Sequence, residues 1–339
     1  MANSVAHFKK YIDLLDEVYK TSSCSSVLDS DPALARAGAN ANEIIIPKIS
    51  MDGLADYSRS SGYVRGDITL TNETVAFNYD RGRKFSVDNM DNEESAGLAF
   101  GKLSSEFIRT KTAPELDAFR FAAYAGTDGI TVSSGELSSG ASVLAALIDA
   151  QNRMDEDEVP TGSRYLFITP TNFNLANNVD TYKSKAVFDS FASVNKVPQS
   201  RFYTSIDMYD GKSEGEISGG YRKGTDRYEL LPSEPSDWSA AYGTYYTQLN
   251  GTYSAVTGDS APTFASGKYY KKTASAAKDI NFMVIEKSAV IQYPKHTVNK
   301  IVTPEENQFD DSWLFFFRAY GLADVYENKA AGIYLHRKA

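Results

Sequence analysis

The chain has 339 residues, 42% hydrophobic and 23% charged, which is enough apolar material for one large or two modest cores and too ordinary a charge content for wholesale disorder. One cysteine, Cys24, excludes a disulfide framework and any cysteine-based zinc site, and three histidines (His7, His296, His336) leave little for metal binding or acid–base chemistry near neutral pH. The net charge of −9, from 35 basic and 44 acidic residues, argues against strong adhesion to nucleic acid or anionic lipid; no run approaches the ~18 apolar residues of a membrane span, and the polar stretch Met1 to Lys20 lacks the apolar centre of a signal peptide.

In chain order, Val5, Phe8, Ile12, Leu15 and Tyr19 recur at helical spacing with Lys9, Lys10, Asp13 and Asp16 between them, an amphipathic helix. A small polar linker, Thr21 to Ser26, follows. Such a helix is either the first helix of the domain or an arm that buries its stripe on a partner. Ile44-Ile45-Ile46-Pro47 reads as a strand ended by proline. The alternating runs Val64 to Leu70 and Val75 to Tyr79, separated by Thr71-Asn72-Glu73-Thr74, read as a β-hairpin with a four-residue loop. A hairpin of this kind is marginal alone and must lie on something.

Asp91, with Glu94 three residues on, is the expected N-cap of a helix running through Leu98, Leu103, Phe107, Leu116, Phe119 and Tyr124 to a stop at Gly126, kinked or restarted at Pro114. Beyond a Gly/Ser stretch come a helix near Ser142 to Met154, a strand at Tyr165 to Ile168, a helix near Ser184 to Val194 and a strand at Arg201 to Ile206, a mixed α/β pattern. Residues 205–279 change character: Gly, Ser, Thr and Pro supply 29 of these 75 positions, and nine of the 22 tyrosines lie here. The aromatics require burial, so an ordered, short-stranded, loop-rich insertion is expected. From Ile280 the pattern is β: Asn281 to Ile285, Ala289 to Tyr293, Val298 to Val302, Trp313 to Tyr320, Ala323 to Tyr326 and Ile333 to Leu335.

Motifs that carry chemistry are few. Gly211-Lys212-Ser213-Glu214-Gly215 has the letters of a nucleophile elbow, but the glycine-rich continuation to Gly220 breaks the helix that motif requires. Asp155-Glu156-Asp157-Glu158 is read as a solvated turn rather than a cation site. Arg65-Gly66-Asp67 falls inside an expected strand, and the Asn72 and Asn250 acceptor patterns are idle without secretion. Lys268-Tyr269-Tyr270-Lys271-Lys272 is read as a local surface patch. No phosphate loop and no dinucleotide-binding glycine fingerprint is present. No catalytic, cofactor-binding or metal-ligating residue is assigned, and no enzymatic activity is expected.

The order of elements resembles the major capsid proteins of tailed phages. Tyr63-Val64-Arg65-Gly66-Asp67, followed by Tyr79-Asp80-Arg81-Gly82-Arg83-Lys84-Phe85-Ser86-Val87-Asp88, is similar to that family's extended hairpin and the run before its spine helix. Phe282 to Val290 resembles the strand entering its peripheral domain. Lys295-His296, Thr303 to Gln308, Arg318 to Lys329 and Gly332-Ile333-Tyr334 resemble its C-terminal signature. The resemblance covers about residues 40 to 205 and 280 to 336, and the order of the motifs is its specific part.

The resemblance implies an α+β chain with the Hong Kong ninety-seven-like capsid fold. The implied layout is an N-terminal arm at 1–50 and an extended hairpin loop at 51–90. A peripheral domain of long spine helix and long antiparallel sheet occupies 91–126 and 285–328. An axial α/β domain fills 127–284, with the insertion at 205–279, and a C-terminal strand spans 329–339. Phe8, Ile12, Ile68, Leu70, Val75, Phe77, Tyr79 and Arg81 are the expected subunit-interface residues. The implied function is that of a head protein forming pentamers and hexamers of an icosahedral shell around double-stranded DNA, assembled in the host cytoplasm and resident in the virion. Implied partners are further copies of itself, a scaffold protein that is separate or already removed, a portal and decoration proteins, without strong specific DNA binding and without a membrane. An encapsulin-like compartment shell and a soluble α/β hydrolase are the alternatives.

Overall fold

The structure, a computed structural model, describes residues 23–30, 36–37, 43–60, 62–94, 103–179 and 181–339. Phe8 and Ile12 of the expected arm, and 95–102 of the expected helix, lie outside the described residues. The chain divides into two compact units. One holds the described residues up to Ala113 together with Glu286–Gly332; the other holds Pro114–Ile285 and Ile333–Ala339.

The strands in chain order are β1 (Arg36–Ala37), β2 (Glu43–Met51), β3 (Ile68–Ala76), β4 (Tyr79–Asp88), β5 (Thr131–Ser134), β6 (Arg164–Ile168), β7 (Ser193–Lys196), β8 (Ile206–Met208), β9 (Tyr221–Lys223), β10 (Arg227–Leu230), β11 (Tyr245–Leu249), β12 (Thr252–Ala255), β13 (Tyr269–Ala274), β14 (Ile280–Glu286), β15 (Val290–Val302), β16 (Ser312–Val325) and β17 (Ile333–Arg337). In the first unit β1-β2-β3 form one antiparallel sheet and β15-β16-β4 another. The long β15 and β16 pair along their whole length, with a register shift between Pro294 and His296 where proline removes a ladder donor. The buried face of this sheet closes on the helix Leu103–Phe107: the Phe107 ring meets Phe85, Phe315 and Phe317 at 4.9, 6.1 and 5.7 Å between ring centroids.

Four expectations change in this unit. The hairpin does not turn at Thr71 to Thr74, because β3 runs straight through those residues and pairs with β2 from Ile68↔Met51 to Ala76↔Glu43. Nothing in Thr-Asn-Glu-Thr demands a positive φ, and β-branched threonine favours extended backbone once a partner strand is available upstream. The connecting segment is 52–67, so Glu43–Met51, assigned to the arm, is the hairpin's first strand. Tyr79–Asp88, assigned to the hairpin, belongs to the long sheet. The N-cap is Asp88, whose carboxylate accepts the Met90 N–H at 2.9 Å, and Asp91 lies within the helix Asn89–Glu94.

Pro114 acts as expected. It opens the helix Ala113–Ala125, and the turn before it is a π-turn, Ile108–Thr112, in which the Ala113 N–H donates to the Ile108 carbonyl five residues back. Proline has no N–H to give and its ring crowds the carbonyl four residues earlier, so the ladder slips by one residue there. The boundary between the units falls at this proline, inside the stretch 91–126 that was expected to lie in a single domain.

The second unit is built on the sheet β5-β17-β14-β6-β7, with parallel pairs at its two edges and β14 antiparallel to β17. Every residue of β14 is buried, the pattern of a central strand covered on both faces. Val143, Leu147 and Met154 of the helix Gly140–Glu156 pack with Leu166, Ile168, Phe282, Val284 and Tyr334. That helix starts where Ser139 and Ser142 cap each other's backbone N–H groups. Phe121 packs edge-on against Phe167 and Phe202. The expected strand at Arg201 is instead the end of a single 3-10 turn, Gln199–Arg201. Its guanidinium turns inward to Asp117 at 3.0 Å, with both side chains closed to solvent, and the strand begins only at Ile206.

The insertion is ordered, as expected. Its sheet β10-β13-β11-β12 buries Trp238, Tyr245, Val256 and Tyr269 on one face. On the other face, Tyr228 and Tyr253 come from the two edge strands and stack at 3.9 Å. A flat sheet would hold those strands about 14 Å apart, so this one curls and closes Tyr228, Tyr246, Tyr253 and Tyr270 into a second aromatic layer. β11 and β12 are joined by Asn250-Gly251, both at positive φ (51 and 81), the two-residue hairpin turn that this dipeptide favours.

Candidate assembly surface

The β2–β3 hairpin has two unlike faces. Residues opposite one another in an antiparallel pair share a face. One face carries Ile44/Val75, Ile46/Glu73, Lys48/Thr71 and Ser50/Thr69; the other carries Ile45/Thr74, Pro47/Asn72, Ile49/Leu70 and Met51/Ile68. At the base, the first face is packed into the chain's own core: Ile44 and Val75 cluster with Ile291 and Leu322. Toward the tip, the second face is open. Ile49 is 58% exposed, Leu70 65%, Met51 67% and Ile68 75%. Beyond them Leu54, Tyr57, Tyr63 and Val64 are exposed as well, with the Tyr57 and Tyr63 rings 4.9 Å apart. A contiguous apolar surface of this kind is where another protein surface binds.

The base is held by polar contacts. Lys48 Nζ meets Glu327 Oε2 at 2.5 Å. Burial first, and then the Glu327 charge, push the Glu73 carboxyl above its ordinary value. Asn78 bridges to the backbone of Ala323, donating to its carbonyl at 2.8 Å and accepting its N–H at 3.2 Å. Phe77 stacks on Tyr320 at 4.9 Å and lies under Lys295, whose Nζ is 4.5 Å from its ring centroid. The hairpin therefore leaves the unit at a fixed angle set by its root, while its outer half makes few contacts of its own.

The structure separates the expected interface residues. Ile68 and Leu70 are on the open apolar face. Val75 and Tyr79, expected against an adjacent subunit, are buried in the chain's own unit. Phe77 and Arg81 are half-buried. Phe8 and Ile12 lie outside the described residues. Ile49 and Met51 were missed from the sequence, although the alternation Ile45, Pro47, Ile49, Met51 carries the signal.

The remaining motifs find plain roles. Ser213 Oγ donates to Asp210 at 2.5 Å in an exposed turn, and its hydroxyl together with the Lys212 and Ser213 N–H groups draws the Asp210 carboxyl down to about 2. No helix follows Ser213 to make an elbow. Asp155 pairs with Arg164 at 2.7 Å and Asp157 with Arg153 at 3.3 Å, so the acidic turn is laced by arginines. Among the described residues no group of three His, Cys, Asp or Glu could hold a metal ion. Arg65-Gly66-Asp67 lies in the 52–67 connection, not in a strand. Tyr269 of the basic-aromatic run is core, and Lys272 pairs with Asp226 at 2.6 Å. No helix among the described residues is long and apolar enough to cross a membrane.

No protein-family model matches the sequence, and neither does any curated protein sequence. Solved structures do match over nearly the whole chain. A structure from Mycobacterium phage Che8 aligns with a TM-score of 0.55 at 13% identity, over 98% of this chain and 97% of that one. The capsid of cyanophage P-SCSP1u aligns at 0.54 and 12%, over 98% and 93%. The capsid of Myoviridae phage XM1 aligns at 0.51 and 10%, over 97% of each. The chain has the fold of tailed-phage capsid proteins, an α+β fold of several sheets.

Proposed function

We propose that this protein is the major capsid subunit of a tailed double-stranded DNA phage, assembling into pentamers and hexamers of an icosahedral shell. The observation that carries the reading is the outer half of the β2–β3 hairpin, which exposes Ile49, Met51, Ile68 and Leu70 on one face of a two-stranded ribbon with no covering layer among the described residues. A ribbon of this kind is poor design for a monomer. It suits a lattice, where each copy lays its apolar face on a neighbour and obligate contacts bury ~2,000–5,000 Å² per interface. Closed symmetry then stops the heterologous contacts from growing into fibres.

On this reading the function is mechanical, and the protein needs no cofactor and catalyses no reaction. Its partners are further copies of itself, a scaffold, a portal and decoration proteins, and its place is the virion wall after assembly in the host cytoplasm. The charge of −9 fits a container whose wall does not trap the incoming DNA, so isolated subunits bind DNA weakly and lose that binding as salt rises. Electron microscopy of the purified protein tests the reading: closed particles tens of nanometres across support it, and a stable monomer with esterase activity overturns it. Encapsulated non-genomic protein in the particles of an expressing cell would assign them to a compartment shell instead.

A further inference from the structure

The outward face of the β15-β16-β4 sheet carries a row of three residues in register, Lys84, Phe316 and Lys300, with Phe316 on the central strand between the two lysines. Lys84 Nζ lies 5.5 Å from the Phe316 ring centroid. Both lysines are exposed, and neither has a carboxylate partner among the described residues. From Ser86 to Asp80 on β4, Leu314 to Tyr320 on β16 and His296 to Val302 on β15, the one carboxylate on this face is Asp80, which Arg318 closes with two hydrogen bonds of 2.8 and 2.6 Å. In a chain of −9, this face is a small cationic field with an aromatic floor.

The segment joining β15 to β16 has the opposite chemistry. Glu305, Glu306, Asp310 and Asp311 are exposed around Phe309, which is 95% exposed. The segment is held in shape from within. Asn307 donates its side-chain amide to Asp310 and to the Ser312 carbonyl and hydroxyl, and accepts the Phe309 N–H at 3.2 Å. The Glu306 and Asn307 N–H groups both donate to the Thr303 carbonyl at 3.0 Å. The phenyl ring is therefore presented to solvent by a built turn, and it does not fold onto its own sheet.

We infer that the 303–311 turn of one copy docks on the Lys84–Phe316–Lys300 row of another, Phe309 against Phe316 and the flanking carboxylates against the lysines. This rests on the shell reading and names a second contact in the lattice, independent of the hairpin. A rigid aromatic anchor ringed by complementary charge is the arrangement that dominates protein interfaces. The floor favours an acidic, aromatic peptide turn over bare phosphate, because a sugar–phosphate backbone offers nothing to Phe316. The contact is heterologous, since the turn and the row are different surfaces, and so it propagates around a ring.

Charge reversal and its repair test the contact in the full chain, with sedimentation measuring the particle fraction and melting temperature checking the fold. Lys84→Glu with Lys300→Glu, and separately Glu305→Lys with Glu306→Lys, should each cut the particle fraction at least about tenfold, as like charges across an interface do. The four substitutions together should recover most of it. Reversed variants that assemble like wild type, or a combined variant that does not recover, overturn the contact while leaving the shell reading standing. Normal assembly of Lys84→Glu with Lys300→Glu, accompanied by weaker retention of double-stranded DNA, overturns it in favour of a nucleic-acid face. A wild-type chain that stays monomeric at every concentration and salt overturns the contact and the shell reading together.

Discussion

Asp117 and Arg201, 84 residues apart in sequence, are joined by a 3.0 Å bond between Oδ2 and Nη1 with both side chains shut off from solvent. The pair ties the helix Ala113–Ala125 to the turn before β8 inside the second unit. Breaking a buried ion pair leaves one uncompensated charge, whereas replacing both partners removes the desolvation cost along with the attraction. Arg201→Met alone should therefore lower unfolding stability by about 3–5 kcal/mol, and Arg201→Met with Asp117→Leu should recover most of that loss. Urea unfolding of the three variants measures it; a single variant as stable as wild type would show that the pair contributes nothing.

The hairpin separates folding from assembly. Ile49→Asp with Leu70→Asp places charge on exposed positions, so subunit stability should change by no more than about 0.5 kcal/mol while particles vanish from electron micrographs. Val75→Asp places a charge in the Ile44–Ile291–Leu322 cluster and should instead cost about 3 kcal/mol or more, giving insoluble or unfolded chain. Wild-type particle yield from the first variant would remove the hairpin from the interface.

His336 gives the second unit an acid-side weakness. Its ring is buried, stacks on Phe282 at 5.1 Å, and accepts at Nδ1 from the Asn281 side-chain amide at 3.1 Å. Burial lowers its pKa below 6.5, with Asp149 opposing. The unfolded chain then takes up a proton near pH 6.5 that the folded chain refuses, so the contribution is full above that pH and is lost as pH falls through it. The slope should approach about 1.4 kcal/mol per pH unit at most. Denaturant midpoints between pH 7.5 and 5.5 read it, and His336→Gln, which keeps an acceptor for Asn281 but cannot titrate, should flatten the difference.

Gly140 is a packing requirement at the start of its helix. A Cβ there would lie 2.1 Å from the Leu175 carbonyl oxygen and equally close to Val179 Cγ2. Gly140→Ala should cost about 1–3 kcal/mol by forcing this helix away from the helix Pro170–Asn177, which carries Leu175, despite alanine's better helix propensity. A melting temperature equal to or above wild type would show that the helices can move apart without loss.

Much of the fold was legible along the chain because its signals are local. Pro114 interrupts a helix ladder wherever it falls, and the unbroken apolar run of β14 reads as a buried strand from its letters. The hairpin was legible in kind but not in register. Its apolar alternation is real, yet the partner of β3 is β2, reached across the 52–67 connection rather than a four-residue turn. The insertion was legible as ordered, because nine tyrosines need cover, but not as a curled sheet. The candidate surface was legible in part: Ile68 and Leu70 follow from alternation, while Val75, apolar on the other face of the same strand, belongs to the core.

The sequence by itself determined composition, the helix break at Pro114, the buried strand β14 and the order of motifs that resembles a capsid subunit, since each depends on residues near one another in the chain. Only the tertiary structure decided which apolar residues are core and which are left for a partner. Val75 and Leu70 are five positions apart on one strand, so alternation puts them on opposite faces of the ribbon but does not say which face is covered. Val75 meets Ile291 and Leu322 because Asn78 and Lys48 fix the hairpin root against β16 and the segment after it. Leu70 is on the opposite face, toward the tip, and faces solvent. The net charge of −9 likewise came from the sequence, but that the described sheet keeps Lys84 and Lys300 on one face and the acidic turn at its end was decided by strand register alone.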